Sequence, residues 1–205
     1  TEDHRLHGLG YHNLLFMGAE LLLLEQEAGN EFPLLLIEEP EAHLHPQLQM
    51  KLLQFINTKT KTDKNPDGVQ CILSSHSPNI SSKADPSEIV MLGGGRAWPL
   101  RPGETELAEA DYKYLHKFLD ATKANVFFAK GLLFVEGDAE NILLPEIARL
   151  LGRPLENYGV SIVKCDNAGS WKRFAKLFLR QGKDGEPDAW PSTKVCALRD
   201  IDLWP

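Results

Sequence analysis

Short apolar runs alternate with longer amphipathic stretches along this chain, and the alternation predicts strands and helices in turn. Apolar runs of strand length predict buried strands at residues 34–38, 69–73, 131–135, 160–164 and 194–198. Apolar residues spaced three or four positions apart predict helices at 11–28, 46–60, 111–119, 139–151 and 171–179. Two further strand-like segments, 88–92 and 96–100, flank Gly93-Gly94-Gly95 and predict a hairpin. The order of strands and helices is typical of α/β folds with parallel sheets.

The same periodicity predicts which side chains form the core. The strand at 34–38 is expected to be parallel to its neighbour and covered on both faces, because it is apolar without alternation. Each amphipathic helix is expected to turn its apolar stripe inward. These stripes are Leu14, Leu15, Leu21, Leu22 and Leu24; Leu48, Leu52, Leu53 and Ile56; Tyr114, Leu115 and Phe118; and Leu143, Ile147, Leu150 and Leu151.

Two carboxylates end the first strand. Glu38 and Glu39 fall where the chain leaves the sheet, the usual place for ligand chemistry in an open α/β sheet. There, one acid can hold Mg²⁺ and the next can orient or deprotonate a water molecule. The alternative is a buried strand that ends in a solvated acidic turn. The longer string Glu-Pro-Glu-Ala-His-Leu-His-Pro, followed by Ser-Ser-His-Ser-Pro after the next strand, favours the chemical interpretation.

A histidine and two glycines are further candidates for the same site. The strand at 69–73 runs into Ser74-Ser75-His76, and His76 could donate a hydrogen bond to a terminal phosphate, or it could simply cap a turn. Gly8 and Gly10 precede a predicted helix, where close backbone approach and unpaired N–H groups favour an anion. The simpler interpretation of Gly8-Leu9-Gly10 is an ordinary turn before a helix.

A second acidic set lies at the ends of later strands. Glu136 follows the strand at 131–135, and Asp200 and Asp202 follow the strand at 194–198. If these two strands are neighbours, the three acids converge on one edge of the sheet, where Mg²⁺ or Mn²⁺ would relieve their repulsion. Two such ions can activate water and stabilise the leaving oxygen in phosphodiester cleavage. The alternative is a set of three unrelated surface acids.

Composition excludes some classes of protein. The chain has 205 residues, 42% of them hydrophobic, with a formal net charge of −7, so it is not a basic nucleic-acid module. DNA binding through a local basic face stays open. Cys71, Cys165 and Cys196 form no CxxC pair and are expected to be reduced core thiols of a cytoplasmic protein. The most apolar stretch, 21–24, is far too short to cross a membrane.

The two motif sets resemble known domains. The acidic strand and the segment after it resemble the Walker B strand and D-loop of ABC-type ATPases. Glu136-Gly137 with Glu140, followed by Asp200 and Asp202, resembles the TOPRIM domain of topoisomerases, primases and related nucleases. An ABC-type ATPase half followed by TOPRIM is similar to the OLD (overcoming lysogenisation defect) endonucleases, which include the nuclease subunit of Gabija-type antiphage systems. The expected fold is therefore the C-terminal part of the ATPase domain followed by a Rossmann-like parallel TOPRIM sheet.

The resemblance implies roles for individual residues. Glu38 would help to hold Mg²⁺, Glu39 would position or activate the hydrolytic water, and His76 would be the switch histidine. Gly8 and Gly10 would lie in the signature region that meets ATP on the opposite subunit of a dimer. Glu136 would act in acid/base chemistry or as a metal ligand. The remaining metal ligands would be Glu140, Asp200 and Asp202.

The resemblance also implies domains, partners and limits. The expected segments are 1–105 for the ATPase, 106–130 for a helical connector and 131–205 for TOPRIM; the expected partners are DNA, a second copy and a helicase-like protein. The chain lacks a GxxxxGK[ST] loop, its signature region is unusual, and Glu38 stands where Asp is usual. We therefore expect an internal piece of a longer protein that alone neither hydrolyses ATP nor cuts DNA efficiently. The alternatives are a RecF- or SMC-like DNA clamp with a non-catalytic TOPRIM module and, with less support, a topoisomerase- or primase-like enzyme.

Overall fold

The computed structural model describes residues 8–27, 33–60, 68–165, 168–180 and 193–199 of the chain. The chain divides into two compact units, Thr1–Lys83 and Ala84–Pro205. Each unit contains a parallel sheet and its own cluster of buried apolar side chains. The α/β class predicted from the sequence is confirmed.

The first unit contains three helices and two parallel strands among the described residues. Their bounds are α1 Leu9–Glu27, β1 Leu34–Glu38, α2 Pro46–Lys59, β2 Gln70–Ser74 and α3 Pro78–Ser81. Pro46 occupies the first turn of α2, where its missing N–H removes no helical hydrogen bond. β1 and β2 pair from Leu34 with Gln70 to Glu38 with Ser74, so both strands end at the same level.

Only one face of the β1–β2 pair is covered by the described residues. Leu35 and Ile37 pack against a cluster that includes Leu21 of α1 and Leu52 of α2. The opposite face carries Leu36, which is 68% exposed, beside its partner Ile72. The prediction that this strand is covered on both faces is therefore wrong for the part of the chain that the structure describes, because α1 and α2 pack on the same side.

The second unit contains an antiparallel hairpin and a three-stranded parallel sheet. Its helices and strands are β3 Val90–Gly93, β4 Arg96–Pro99, α4 Glu109–Phe118, β5 Gly131–Val135, α5 Asp138–Leu150, β6 Val160–Lys164, α6 Ala168–Ala175 and β7 Lys194–Ala197. Short 3₁₀ segments lie at Pro86–Glu88, Lys123–Phe127, Leu155–Tyr158 and Lys176–Phe178. The strand order of the parallel sheet is β6-β5-β7, so β5 is central and β7 is its neighbour.

The core of the second unit forms around β5. Leu132 and Phe134 are almost fully buried there, and the Phe134 ring lies 6.2 Å from the ring of Phe174 in α6. Leu100, which directly follows β4, belongs to the same buried cluster. The hairpin is thus part of this unit, whereas the assignment of 1–105 to an ATPase domain stays a prediction.

A buried carboxylate holds α4 to the segment after α6. Asp111 is 6% exposed, and its carboxylate accepts a hydrogen bond of 2.7 Å from Lys176 Nζ. Burial alone would raise the pKa of Asp111, but the bonds from Lys176 and from the Ala108 N–H outweigh it and lower the pKa. The predicted connector helix is therefore fixed by a charged pair as well as by Leu115, which is fully buried.

Several core predictions are wrong for individual side chains. The residues in and just after α5 that were expected to point inward are all exposed, because no described element covers that face: Leu143, Ile147, Leu150 and Leu151. In α1, Leu21 is buried and Leu14 and Leu24 are partly buried, but Leu15 and Leu22 are exposed. In α4, Phe118 is exposed as well.

The three cysteines are free thiols, but they do not share one environment. Cys165 is buried and Cys71 is half-buried, and burial raises the pKa of the Cys71 thiol. Cys196 is exposed, so the expectation of a core thiol is wrong there. Among the described helices, none combines the length and apolar character that crossing a bilayer requires.

Candidate functional site

Glu38 and Glu39 lie at the end of β1, as predicted. Glu38 is exposed on the open face of the strand pair, opposite Ser74 at the end of β2. Glu39 donates its N–H to the Ser74 carbonyl at 3.0 Å. Its φ of 45° is in the left-handed region, which costs free energy for a residue with a side chain and is common at functional sites.

The structure brings His76 next to Glu39. His76 Nε2 lies 3.6 Å from Glu39 Oε1, and both side chains are largely exposed. An exposed carboxylate beside an imidazole can position a water molecule while the imidazole donates to an anionic group. This arrangement fits the phosphate chemistry predicted for the pair.

A network that sequence reasoning missed joins the turn after β1 to the loop after β2. Glu41 Oε1 accepts hydrogen bonds of 2.8 Å from both Ser75 Oγ and the His76 N–H. Buried Gln49 accepts a bond of 2.7 Å from Ser77 Oγ and donates one of 3.0 Å to the Leu44 carbonyl. The available signal was the run of short polar residues after β2, since such side chains usually bond to nearby backbone.

Gly10 is a packing position. A Cβ at Gly10 would lie well inside van der Waals contact of the His43 carbonyl oxygen and 3.2 Å from Leu44 Cδ2. A Cβ at Gly8 would meet nothing within 4 Å. Gly10 therefore lets the start of α1 approach the turn after β1, and a role for either glycine in contacting nucleotide stays a prediction.

We expect Gly10→Ala to destabilise the first unit. The added methyl group would collide with backbone, which cannot rotate away as a side chain can, so the expected cost is about 1–3 kcal/mol. Urea unfolding measures this change as a lower midpoint. Gly18→Ala in the same helix is the matched control, since its Cβ would lie 4.0 Å from the nearest atom, Phe55 Cε1. The control should gain about 0.5–1 kcal/mol. Equal effects of the two substitutions would contradict the packing role.

The second candidate site lies at the carboxyl end of β5. Glu136 follows this strand, and Gly137 precedes α5. A Cβ at Gly137 would lie 2.6 Å from Glu140 Oε2, so glycine allows the Glu140 carboxylate to fold over the turn. The turn thus places both predicted glutamates at the start of α5.

The neighbouring strand β7 leads toward the same edge. The Leu198 N–H donates to the Phe134 carbonyl at 2.8 Å, which extends the β5–β7 pairing by one residue. Arg199 Nε then lies 3.8 Å from Glu136 Oε1, at ion-pair distance. The condition for convergence, that the strands are neighbours, is confirmed. Asp200 and Asp202 lie outside the described residues.

Glu136 and Glu140 fit part of a site for a divalent cation. Glu136 Oε1 and Glu140 Oε2 are buried, and neither has a hydrogen-bond partner among the described residues. Carboxylate oxygens are the ligands that Mg²⁺ and Mn²⁺ prefer. Within the same described ranges, no group of three or more His, Cys, Asp or Glu residues is placed to hold a metal ion. A complete ligand set therefore requires more than these two glutamates.

A lysine that the sequence analysis did not single out lies near this edge. Lys164 is the last residue of β6 and pairs in register with Val135. Its Nζ lies 2.8 Å from Asp138 Oδ1 at the start of α5. Lys164 and Arg199 thus approach the turn at 136–140 from the two outer strands, which places positive charge beside the acidic residues.

Comparisons with known families match two segments of the chain. Residues 4–81 match the family model of an AAA ATPase domain. Residues 127–202 match that of the overcoming lysogenization defect protein-like TOPRIM domain. The chain thus carries an ATPase segment followed by an OLD-like TOPRIM segment, and the resemblance to OLD endonucleases predicted from the sequence is confirmed.

Individual relatives agree with these domains at modest identity. Endonuclease GajA of Bacillus cereus (strain HuB5-5) is 28% identical, over 78% of this chain and 27% of the relative. The Old nuclease of Escherichia phage P2 is 26% identical, over 78% of this chain and 28% of the relative. Uncharacterized protein YbjD of Escherichia coli (strain K12) is 25% identical, over 88% of this chain and 31% of the relative. The chain therefore spans about three tenths of the length of these relatives.

Proposed function

We propose that this protein is a nucleotide-regulated DNA endonuclease that cleaves phosphodiester bonds at a metal-dependent TOPRIM centre. The observation that carries the proposal is the turn after β5, where Glu136 and Glu140 each hold a buried carboxylate oxygen without a hydrogen-bond partner among the described residues. The names of two relatives, endonuclease GajA and Old nuclease, support cleavage of nucleic acid as the reaction.

In this proposal the acidic edge binds two divalent cations, Mg²⁺ or Mn²⁺. Glu136, Glu140, Asp200 and Asp202 are the proposed ligands, and Glu136 also acts in acid/base chemistry. Bound cations would supply an activated water and neutralise charge on the cleaved phosphate. Lys164 and Arg199, which lie beside the turn, would draw the DNA backbone toward an otherwise acidic protein.

The first unit supplies nucleotide control. Glu38 would help to hold Mg²⁺ with ATP, Glu39 would orient the attacking water, and His76 would detect the terminal phosphate. The 3.6 Å approach of His76 to Glu39 supports a shared role at one phosphate. Binding of ATP between two copies, with Gly8 and Gly10 facing the second nucleotide, would make the protein at least a dimer.

The biological setting follows from the relatives by analogy alone. Two relatives are named as nucleases, and the phage origin of one supports a role in conflict between phage and host. We propose antiphage defence as that role, in the cytoplasm and together with a helicase-like partner protein.

The proposed function is tested by nicking of supercoiled plasmid with the full-length protein. We expect no cleavage in a chelator and cleavage when Mg²⁺ or Mn²⁺ is restored, because carboxylates alone cannot activate water sufficiently. Calcium is an informative control, since it binds the same oxygen ligands with looser geometry and should support DNA binding better than cleavage. Cleavage that is unaffected by chelator would contradict the metal-dependent centre.

One observation favours a second candidate function, a RecF- or SMC-like DNA clamp with a non-catalytic TOPRIM module. Arg199 lies 3.8 Å from Glu136, so a protein cation could neutralise this glutamate without a metal ion. The clamp hypothesis predicts ATP turnover and ATP-dependent DNA binding without strand cleavage under any metal condition. The same plasmid assay, combined with measurement of the phosphate released from ATP, distinguishes the two functions.

A further inference from the structure

Glu41 is placed to control the position of His76. It lies in the turn after β1, two residues beyond Glu39, and its Oε1 atom receives two hydrogen bonds from the loop after β2. One donor is the Ser75 hydroxyl and the other is the backbone N–H of His76, each at 2.8 Å. A carboxylate suits this position because it is acceptor-only, and bonds to a charged acceptor are the stronger kind.

A second cross-link holds the loop on the other side of His76. Ser77 Oγ donates to Gln49 Oε1 at 2.7 Å, and Gln49 Nε2 donates to the Leu44 carbonyl at 3.0 Å. Ser75 Oγ, which donates to Glu41, also accepts the Ser77 N–H at 2.9 Å. The backbone at His76 is therefore fixed on both sides to the turn that carries Glu41.

The imidazole of His76 is exposed to solvent, whereas its backbone is held by hydrogen bonds. It is 82% exposed and lies 3.6 Å from Glu39 Oε1. Since the exposed ring can change rotamer, the fixed backbone decides which positions the ring can reach. Loss of the Glu41 bonds would let the loop shift, and displacements on the order of 1 Å at a reacting group can cost about 100-fold in rate.

We propose that Glu41 is a positioning residue for the ATPase site: it ties the His76 backbone to the turn that carries Glu39, so that both side chains meet one phosphate. The inference rests on the proposed function, since it assumes that Glu39 and His76 act on bound ATP. It adds a role for a residue of the segment after β1 to which the sequence analysis assigned none.

The test is ATP turnover by the full-length protein carrying Glu41→Ala, with kcat and KM measured separately. We expect kcat to fall by about 10- to 100-fold and KM for ATP to change less, because His76 would act mainly on charge that develops during hydrolysis. Glu25→Ala is the matched control. It removes another carboxylate of the same unit, one that pairs with Lys59 at the surface, and should leave kcat unchanged.

A double-mutant cycle separates positioning from general stabilisation. If Glu41 acts through His76, adding Glu41→Ala to a His76→Ala background should change kcat by less than about twofold. A double variant whose loss of kcat equals the product of the two single losses would overturn the proposal. If Glu41→Ala does not fold, Ser75→Ala replaces it, because it removes one of the two bonds to Glu41 Oε1, and an unchanged kcat would then overturn the proposal. Glu41→Gln is the control, since its amide oxygen still accepts both bonds and should keep kcat within about threefold. If Glu41→Gln lowers kcat as much as His76→Ala does, the proposal is also overturned.

The two proposals fail in different ways. If neither His76→Ala nor Glu39→Gln alters ATP turnover, the proposed function of this site is wrong. If those two variants lose turnover while Glu41→Ala keeps the wild-type kcat, the site stands and only the positioning role is wrong.

Discussion

Glu136→Gln should abolish DNA cleavage by the full-length protein while ATP turnover stays at the wild-type level. The substitution keeps the size of the side chain but removes the charge that a cation or a proton requires. Loss of one acid/base group costs about 100- to 10,000-fold, and loss of a metal ligand adds to it. Plasmid nicking under single-turnover conditions, with phosphate release measured in parallel, gives both quantities.

The matched control for this substitution is Glu146→Gln. Glu146 belongs to α5, the helix that follows Glu136, but it is exposed and pairs with Arg149 one turn along. Its replacement should leave cleavage within about twofold, since exposed pairs of this kind contribute little. Undiminished cleavage by Glu136→Gln would show that the acid at the end of β5 has no chemical role.

Phe134→Ala should destabilise the second unit by about 3–5 kcal/mol, enough to unfold a marginally stable domain. Phe134 is fully buried on the central strand and lies beside Phe174. Truncation would remove its buried surface and leave a cavity that neighbouring strands cannot fill without moving. Chemical denaturation followed by near-UV circular dichroism measures the loss as a lower midpoint with an unchanged slope.

Two leucines of the same unit provide the comparison for that substitution. Leu132 is 2% exposed on β5, and Leu150 is 84% exposed at the end of α5. Leu132→Ala should cost about 2–5 kcal/mol, whereas Leu150→Ala should change stability by less than about 0.5 kcal/mol. A large loss for Leu150→Ala would mean that the apolar face of α5 is covered in the protein tested.

The strands and their acidic ends were predictable because the signals are local. Five apolar runs with polar or glycine-rich ends located β1, β2, β5, β6 and β7 within one residue. Glu38 ends β1, Glu39 and Glu136 directly follow their strands, and His76 lies two residues after β2, so their places at the sheet edges required no knowledge of packing. The sequence predicted that the acids converge only if β5 and β7 are neighbouring strands, and in the sheet they are neighbours.

The rest depends on contacts between segments distant in sequence. Periodicity marks the apolar face of α5 but not what lies against it, and the described residues leave Leu143 and Ile147 exposed. The close approach of Gly10 to His43 and the bonds from Ser75 and His76 to Glu41 each join residues more than 30 positions apart. No local pattern specifies such pairs, so the packing glycine and the positioning glutamate became visible only in the fold.

The most direct test of the account is the response of cleavage to nucleotide in wild type and in Glu39→Gln. The full-length protein would be mixed with supercoiled plasmid and Mn²⁺, with and without ATP, and the single-turnover nicking rate would be measured. We predict that ATP changes the nicking rate of the wild-type protein. The Glu39→Gln variant should bind ATP but hydrolyse it slowly. In that variant the effect of ATP on the nicking rate should therefore last longer than in wild type, where it ends when the ATP is consumed. Equal rates with and without ATP in both proteins would contradict nucleotide control and leave the two halves of the chain functionally separate.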